Sequence, residues 1–127
     1  MGWLLPLTLF LAAPSPTNGI TREILARAPV PNLPGYETRL MRVTYAPGVA
    51  SPPHRHAVAG VGLVLRGTVE SAFGDAKPVL FKAGDTFVDP ANTPHTISRN
   101  PDAKEPLVLL LSYTIPVDAP NAEPLAK

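Results

Sequence analysis

Proline and glycine divide this chain into short pieces, and this constrains its fold more than any other feature of the sequence. The 127 residues include 17 prolines and nine glycines, which are scattered without a regular period. Proline fixes φ and removes a backbone donor, whereas glycine tolerates positive φ, so both residues favour turns. The strongest predicted turns are Pro47-Gly48, Pro52-Pro53, Gly74-Asp75, Gly84-Asp85 and Asn100-Pro101.

Short runs typical of β-strands lie between these turns. The runs are 38–45, 61–66, 68–73, 79–81, 86–89, 95–99 and 107–115. Strands of this length and spacing predict an all-β sandwich or barrel. One segment, 21–27, is predicted as a single short helix with Thr21 as its cap. The segment from Pro116 to Lys127 is predicted to extend beyond the fold, because it holds three prolines and few large apolar residues.

Bulk composition excludes several classes of function. The length fits one domain, and the net charge is +1, with 11 basic and 10 acidic residues spread along the chain. This even distribution provides no basic surface for nucleic acid or for an anionic membrane. The chain has no cysteine, which excludes disulfides, thiolate metal sites and thiol nucleophiles.

The N-terminus carries an apolar run over residues 3–13. Because a membrane span needs about 20 apolar residues, this run is too short to cross a bilayer. It fits the hydrophobic part of a secretory signal, although no Lys or Arg precedes it. We therefore predict a signal peptide over residues 1–19, an exported chain that begins between Pro14 and Thr21, and no integral span in the mature chain. The alternatives are a buried N-terminal strand or helix, and a cytoplasmic chain.

All three histidines fall in two glycine-bounded segments, 48–67 and 84–100. His54 and His56 are two positions apart, so in a strand both side chains project to the same face. His95 begins a different β-type run and is the remaining histidine. Three neutral imidazoles suit ions such as Zn, Cu, Fe or Ni, which makes His54, His56 and His95 candidate metal ligands. Taken singly, each histidine is equally compatible with a surface turn or a half-buried position.

The spacing around these histidines resembles the two motifs of the cupin superfamily. Gly48, His54, His56 and Gly67 match the pattern G-x5-H-x-H-x3-E-x6-G. Gly84, Pro90 and His95 match the second pattern, G-x5-P-x-G-x2-H-x3-N. The resemblance covers residues 38–114 and implies a jelly-roll barrel there, preceded by an arm over 20–37 and followed by a tail over 115–127. It also implies a homodimer and a small-molecule ligand or substrate.

Three positions depart from the family pattern. Gly60 stands where the family has its glutamate ligand, Asn92 where it has a glycine, and Arg99 where it has an asparagine, with Asn100 one residue later. Asn92 remains compatible with a left-handed backbone. The chain therefore resembles a three-histidine variant that binds a divalent Fe, Ni, Zn, Mn or Cu ion. The nearest acidic residues in sequence, Glu70, Asp85 and Asp89, are not assigned to the metal.

An ion held by three neutral imidazoles keeps a local charge near +2, which favours anionic oxygen ligands and acidifies bound water. Three-histidine cupins include dioxygenases that act on diketones and related enolisable substrates. The resemblance thus implies a metal-dependent oxygenase, lyase or isomerase acting on a small anionic or enolisable molecule. The alternative is an exported cupin that binds a small ligand without catalysis and has a degraded metal site.

Residues beside the motifs are weaker candidates. Gly60 and Gly62 are predicted either to leave space beside the metal or to mark a β-bulge. Arg66 and Arg99 are candidates for contact with an anionic substrate, although a charged residue beside a turn is more often simply solvated. Tyr45 and Tyr113 end apolar runs and are predicted either to line a pocket or to pack in the core, as such residues more often do. The sequence contains neither a phosphate-binding glycine loop nor a G-x-S-x-G nucleophile motif.

Overall fold

The computed structural model describes residues 16–125, which form ten β-strands and no helix. The strands are β1 (Ile20–Pro29), β2 (Tyr36–Tyr45), β3 (His54–Arg55), β4 (Gly60–Arg66), β5 (Thr68–Phe73), β6 (Val79–Lys82), β7 (Thr86–Asp89), β8 (His95–Arg99), β9 (Leu107–Pro116) and β10 (Glu123–Pro124). Every predicted β-type run is a strand in the structure, with bounds that differ by two residues at most.

The strands form two five-stranded antiparallel sheets. The first sheet has the order β1-β2-β9-β4-β7, and the second has the order β10-β3-β8-β5-β6. Inward-facing side chains from both sheets form one core, to which β2 and β9 contribute every second residue. The predicted all-β jelly roll is therefore confirmed. The non-local strand order brings β3 and β8, which carry His54 and His95, side by side.

The helix predicted over residues 21–27 is wrong, because this segment lies in β1. Strand β1 pairs antiparallel with β2 from Ile20, opposite Tyr45, to Pro29, opposite Glu37. A helix of seven residues has too few hydrogen bonds to be stable on its own. The exposed backbone of β2 offers a full row of partners instead, so tertiary pairing outweighs the local cap signal.

The segment predicted to extend beyond the fold returns to the barrel over its described part. Strand β10 pairs with β3 and becomes the edge of the second sheet. Arg39, which is buried, donates hydrogen bonds to the carbonyls of Val117 and Ala119 and to Oδ1 of Asn121. The guanidinium group has several donors in one plane, so one side chain holds three points of the segment.

The predicted signal segment, residues 1–19, lies mostly outside the described residues, and its apolar run, 3–13, lies entirely outside them. Within residues 16–125, the structure contains no helix that is long and apolar enough to cross a membrane.

Replacing Arg39 with Met is expected to destabilise the fold by about 3 kcal/mol. It leaves the buried carboxylate of Glu37 with the half-exposed Arg27 as its remaining partner, and it removes three hydrogen bonds to the segment 117–121. The matched control is Arg42→Met on the same strand, where Arg42 pairs with Glu23 at the surface. The control is expected to cost about 1 kcal/mol at most. Chemical denaturation of both variants measures the difference, and equal losses would contradict this assignment of Arg39.

Candidate metal centre

The fold brings the three histidines together inside the barrel. His54 in β3 lies opposite His95 in β8, and His56 follows β3 in a bridge with Ala91. The ring centroids are separated by 5.0 Å for His54 and His56, 4.9 Å for His54 and His95, and 6.1 Å for His56 and His95. Each ring offers one nitrogen such that all three nitrogens lie within 4.8 Å of one another.

Backbone carbonyls orient two of the three rings. Nδ1 of His54 lies 2.8 Å from the carbonyl oxygen of Pro52, and Nδ1 of His56 lies 2.7 Å from that of Asn121. A carbonyl oxygen only accepts, so each Nδ1 carries the hydrogen and each Nε2 presents its lone pair. Metal-binding histidines are held in this way, with the second ring nitrogen donating to a fixed acceptor.

His95 is held mainly by packing. The ring of Phe73 stacks on it at a centroid distance of 4.0 Å, and Nε2 of His95 lies 2.8 Å from Oγ of Ser71. Nδ1 of His95 and Nε2 of His56 are buried and have no hydrogen-bond partner. Buried polar atoms are normally satisfied, so each of these nitrogens has room for a partner from outside the protein, such as a water molecule or an ion.

Burial keeps the three imidazoles neutral. Loss of solvent lowers the pKa of each ring, and the pKa of His95 falls to about 3 because the other two histidines add to the effect. Neutral imidazole is the form that binds metal. Ligand nitrogens about 2.1 Å from one ion and at a tetrahedral angle lie about 3.4 Å apart, so the three rings must move closer together to hold an ion. The donor set therefore fits a metal site.

A cavity of about 530 Å³ opens beside the histidines. Its wall is mostly apolar and includes Met41, Val43, Val69, Phe87, Leu109 and Leu111. Tyr45 and Tyr113, the weaker pocket candidates from the sequence, both line this cavity and also belong to the buried core. The space is large enough for a small organic molecule beside the imidazoles.

The two arginines suggested as substrate contacts do not reach the cavity. Arg66 pairs with Glu105 and Arg99 pairs with Glu70, and both guanidinium groups are half exposed or more. That prediction is wrong. Arg22 of β1 lines the cavity instead, and it forms no ion pair among residues 16–125. It was missed because its segment was predicted as a helix, which hid its relation to β2.

Gly60 and Gly62 were predicted either to leave space beside the metal or to mark a β-bulge. Both face inward, as the first alternative required, but they do not leave room for a substrate. A Cβ on Gly60 would lie 2.3 Å from the ring of Tyr113, and one on Gly62 would lie 2.3 Å from the ring of Phe87. Aromatic rings fill both spaces. Val61 is 58% exposed, so the intervening residue faces the outside of the barrel.

Asp89 is the second residue that sequence analysis did not place at the site. It ends β7, is buried, and has Oδ2 at 3.4 Å from Nε2 of His56. Burial raises the pKa of its carboxyl group to about 6. Asp89 pairs opposite Gly60, the position of the family's glutamate. The two residues are 29 positions apart in the sequence, so the motif alone did not indicate that they are neighbours.

The other departures from the motif have structural explanations. Asn92 has φ of 54°, which confirms that it adopts the left-handed conformation expected of the glycine it replaces. Asn100 is 1% exposed, and its side chain donates to the carbonyls of Ala46 and Glu105 and accepts from the amide of Asp102. It closes the loop before β9 and does not contact the histidines.

Comparison with known proteins agrees with this architecture. The family model for the cupin domain matches residues 41–113. Germin-like protein 5-1 from Oryza sativa subsp. japonica is 32% identical over 114 residues, which are 84% of this chain and 52% of that protein. The chain thus spans about half the length of the curated relatives that it matches.

Solved structures show the same fold at lower identity. A cupin-2 domain protein from Rhodospirillum rubrum aligns with a TM-score of 0.64 at 20% identity, covering 89% of this chain and 70% of that one. An oxalate oxidase in complex with the substrate analogue glycolate aligns with a TM-score of 0.58 at 23% identity, covering 81% and 57%. The two-motif histidine spacing, the paired antiparallel sheets and the family match lead to one conclusion: this chain belongs to the cupin family.

Proposed function

We propose that His54, His56 and His95 hold one divalent transition metal ion, and that the chain is a metal-dependent enzyme acting on a small anionic or enolisable molecule. The observation that carries this proposal is the fixed direction of two imidazoles, whose Nδ1 atoms donate to Pro52 and Asn121 while both Nε2 atoms remain available. The donor set is compatible with Fe, Ni, Zn, Mn or Cu. When bound, the ion supplies a Lewis acid that stabilises negative charge on substrate oxygen atoms.

Arg22 supports an anionic substrate. Arg22 lines the same cavity. Burial is the main cause that lowers the pKa of His54 and His56, and the positive charge of Arg22 lowers it slightly further. Guanidinium pairs well with carboxylates, and the apolar wall opposite suits the hydrocarbon part of a ligand. The complex of the similar oxalate oxidase with glycolate is consistent with small carboxylates as the ligand class.

The second candidate function is binding without catalysis. The cavity wall is predominantly apolar, and the imidazoles are all engaged by the cluster, so no free histidine remains as a general base. An exported cupin that captures a small ligand would need no such base. Export itself stays a proposal, supported by the apolar run at residues 3–13.

We also keep the homodimer as a proposal. Leu40, Ser112, Val61 and Val88 form a row across the outer face of the first sheet, through the pairing of β2, β9, β4 and β7. Val61 and Val88 are 58% and 61% exposed. An exposed apolar row on a sheet is typical of a surface that packs against a second sheet.

Substituting His95 with Ala is expected to remove most of the bound metal, because two imidazoles hold a divalent ion weakly. Elemental analysis after loading with metal and dialysis measures the ratio of metal to protein. Thr96→Ala, at the exposed neighbouring position, is the matched control and should retain the content of the original chain. Equal metal content in both variants would end the three-histidine assignment.

Oxygen consumption separates the enzyme from the binder. The iron-loaded and nickel-loaded proteins are assayed with a panel of diketones and flavonols, and we expect uptake with at least one substrate that disappears in His95→Ala. Arg22→Gln is expected to raise KM about tenfold for the members that bind as enolate anions, by loss of a charge-assisted hydrogen bond. Binding of panel members to the metal-loaded protein with neither oxygen uptake nor conversion of the bound molecule would favour the binding function.

Introducing Lys at Val61 is expected to convert a dimer to a monomer, since it places a charge in the centre of the apolar row. Light scattering coupled to size-exclusion chromatography gives the molecular mass of each variant. Lys introduced at Thr21, on β1, provides a control on the first sheet outside this row. A monomeric original chain, or a dimer that survives the substitution at Val61, would contradict this interface.

A further inference from the structure

The position where the family has its glutamate is closed by an aromatic ring. Gly60 of β4 pairs with Tyr113 of β9 on one side and with Asp89 of β7 on the other, so these three residues form one row across the sheet. A Cβ on Gly60 would lie 2.3 Å from the Tyr113 ring. Any side chain at position 60, a glutamate included, is therefore excluded unless that ring moves.

Asp89 lies in the adjacent place on the same row. Asp89 is 4% exposed, and its Oδ2 lies 3.4 Å from Nε2 of His56. That nitrogen is buried and has no hydrogen-bond partner. The hydrogen of His56 is on Nδ1, where it is donated to the carbonyl of Asn121.

Nε2 of His56 and Oδ2 of Asp89 are therefore two hydrogen-bond acceptors that face each other in the buried interior. The lone pair of Nε2 and a carboxylate oxygen repel unless a cation or a proton lies between them. Two ligands at about 2.1 Å from one ion, separated by a tetrahedral angle, lie about 3.4 Å apart. The separation between Asp89 and His56 thus fits two ligands of a shared ion.

We propose that Asp89 is the fourth protein ligand of the metal, supplied by β7 in place of the glutamate that position 60 lacks. This inference rests on the three-histidine metal site of the proposed function. The side chain is one methylene shorter than glutamate and projects from the next strand. It reaches His56 but lies outside the group of three imidazole nitrogens that are within 4.8 Å of one another, so it must move inward to bind the same ion. The donor set becomes three imidazoles and one carboxylate, which lowers the local charge from near +2 to near +1. Arg22 then supplies the second positive charge for an anionic substrate.

The groups near Asp89 include His54 and Tyr113. Burial raises the pKa of Asp89, and His54 and the hydroxyl of Tyr113 offset part of this effect. The ring of Tyr113 stacks on His56 at a centroid distance of 5.7 Å. One tyrosine thus fills the space at Gly60 and supports the imidazole.

The test compares the binding of Co²⁺ to the original chain, Asp89→Asn, Asp75→Asn and His95→Ala by isothermal titration. Asn keeps the shape of Asp but removes its charge, and Asp75 is an exposed aspartate in the turn between β5 and β6. Loss of groups that only orient a ligand weakens metal binding by about 10–100-fold, so loss of a direct ligand should weaken it by about 100-fold or more. We expect this for Asp89→Asn and no change for Asp75→Asn.

A second measurement needs no variant and separates ligation from orientation. Infrared difference spectra of the original chain labelled with ¹³C-carboxyl aspartate are recorded before and after one equivalent of Co²⁺. A carboxylate stretching band that shifts on metal addition and carries the isotope effect is expected if an aspartate binds the ion. Absence of such a band would overturn the proposal, even if Asp89→Asn failed to fold.

The outcomes distinguish the two levels of inference. If the original chain binds no Co²⁺, the proposed metal function fails, and this inference fails with it. If His95→Ala loses binding while Asp89→Asn matches the original chain, the three-histidine site stands and the carboxylate of Asp89 is not a ligand. That result would overturn the inference alone.

Discussion

Every buried imidazole nitrogen needs a partner, and this requirement organises the interior of the barrel. Carbonyls of Pro52 and Asn121 satisfy one nitrogen each on His54 and His56, and Ser71 lies beside His95. One nitrogen of each ring lies within 4.8 Å of the other two, and lone pairs brought this close would repel in the absence of a positive charge. The histidines are therefore placed by the protein's hydrogen bonds before any ion is considered.

This requirement extends to the C-terminal segment, which takes part in the site without contributing a ligand. Asn121 accepts from His56 through its backbone, while its side chain accepts from Arg39. Arg39 in turn pairs with Glu37 inside the barrel. A buried ion pair of this kind contributes little net stability compared with apolar packing, because both charges lose their hydration. Its value here is geometric, since it fixes the segment that fixes the ring of His56.

Prediction of structure from the sequence was most reliable where the signal is local. Turn residues bounded the strands 68–73, 86–89 and 95–99 correctly, and the spacing of His54, His56 and His95 identified the cluster. It failed where the deciding contact joins distant parts of the chain. Residues 21–27 form a strand because β2 is available as a partner, and a cap signal at Thr21 carries no information about that partner. The same limit hid Arg22, which reaches the cavity from that strand.

Gly60 illustrates how a missing residue in a motif differs from a missing function. In the linear motif, glycine at position 60 means that the family's carboxylate is absent. In the folded sheet, Gly60 lies between Tyr113 and the buried carboxylate of Asp89. The absence of a side chain admits the Tyr113 ring, and the ring packs on His56. Neighbouring strands in a sheet lie about 5 Å apart, so either of two paired residues can place its side chain near the same point. The side chains that surround a point in a barrel therefore come from paired residues on several neighbouring strands. A sequence motif covers one strand and describes only some of these residues.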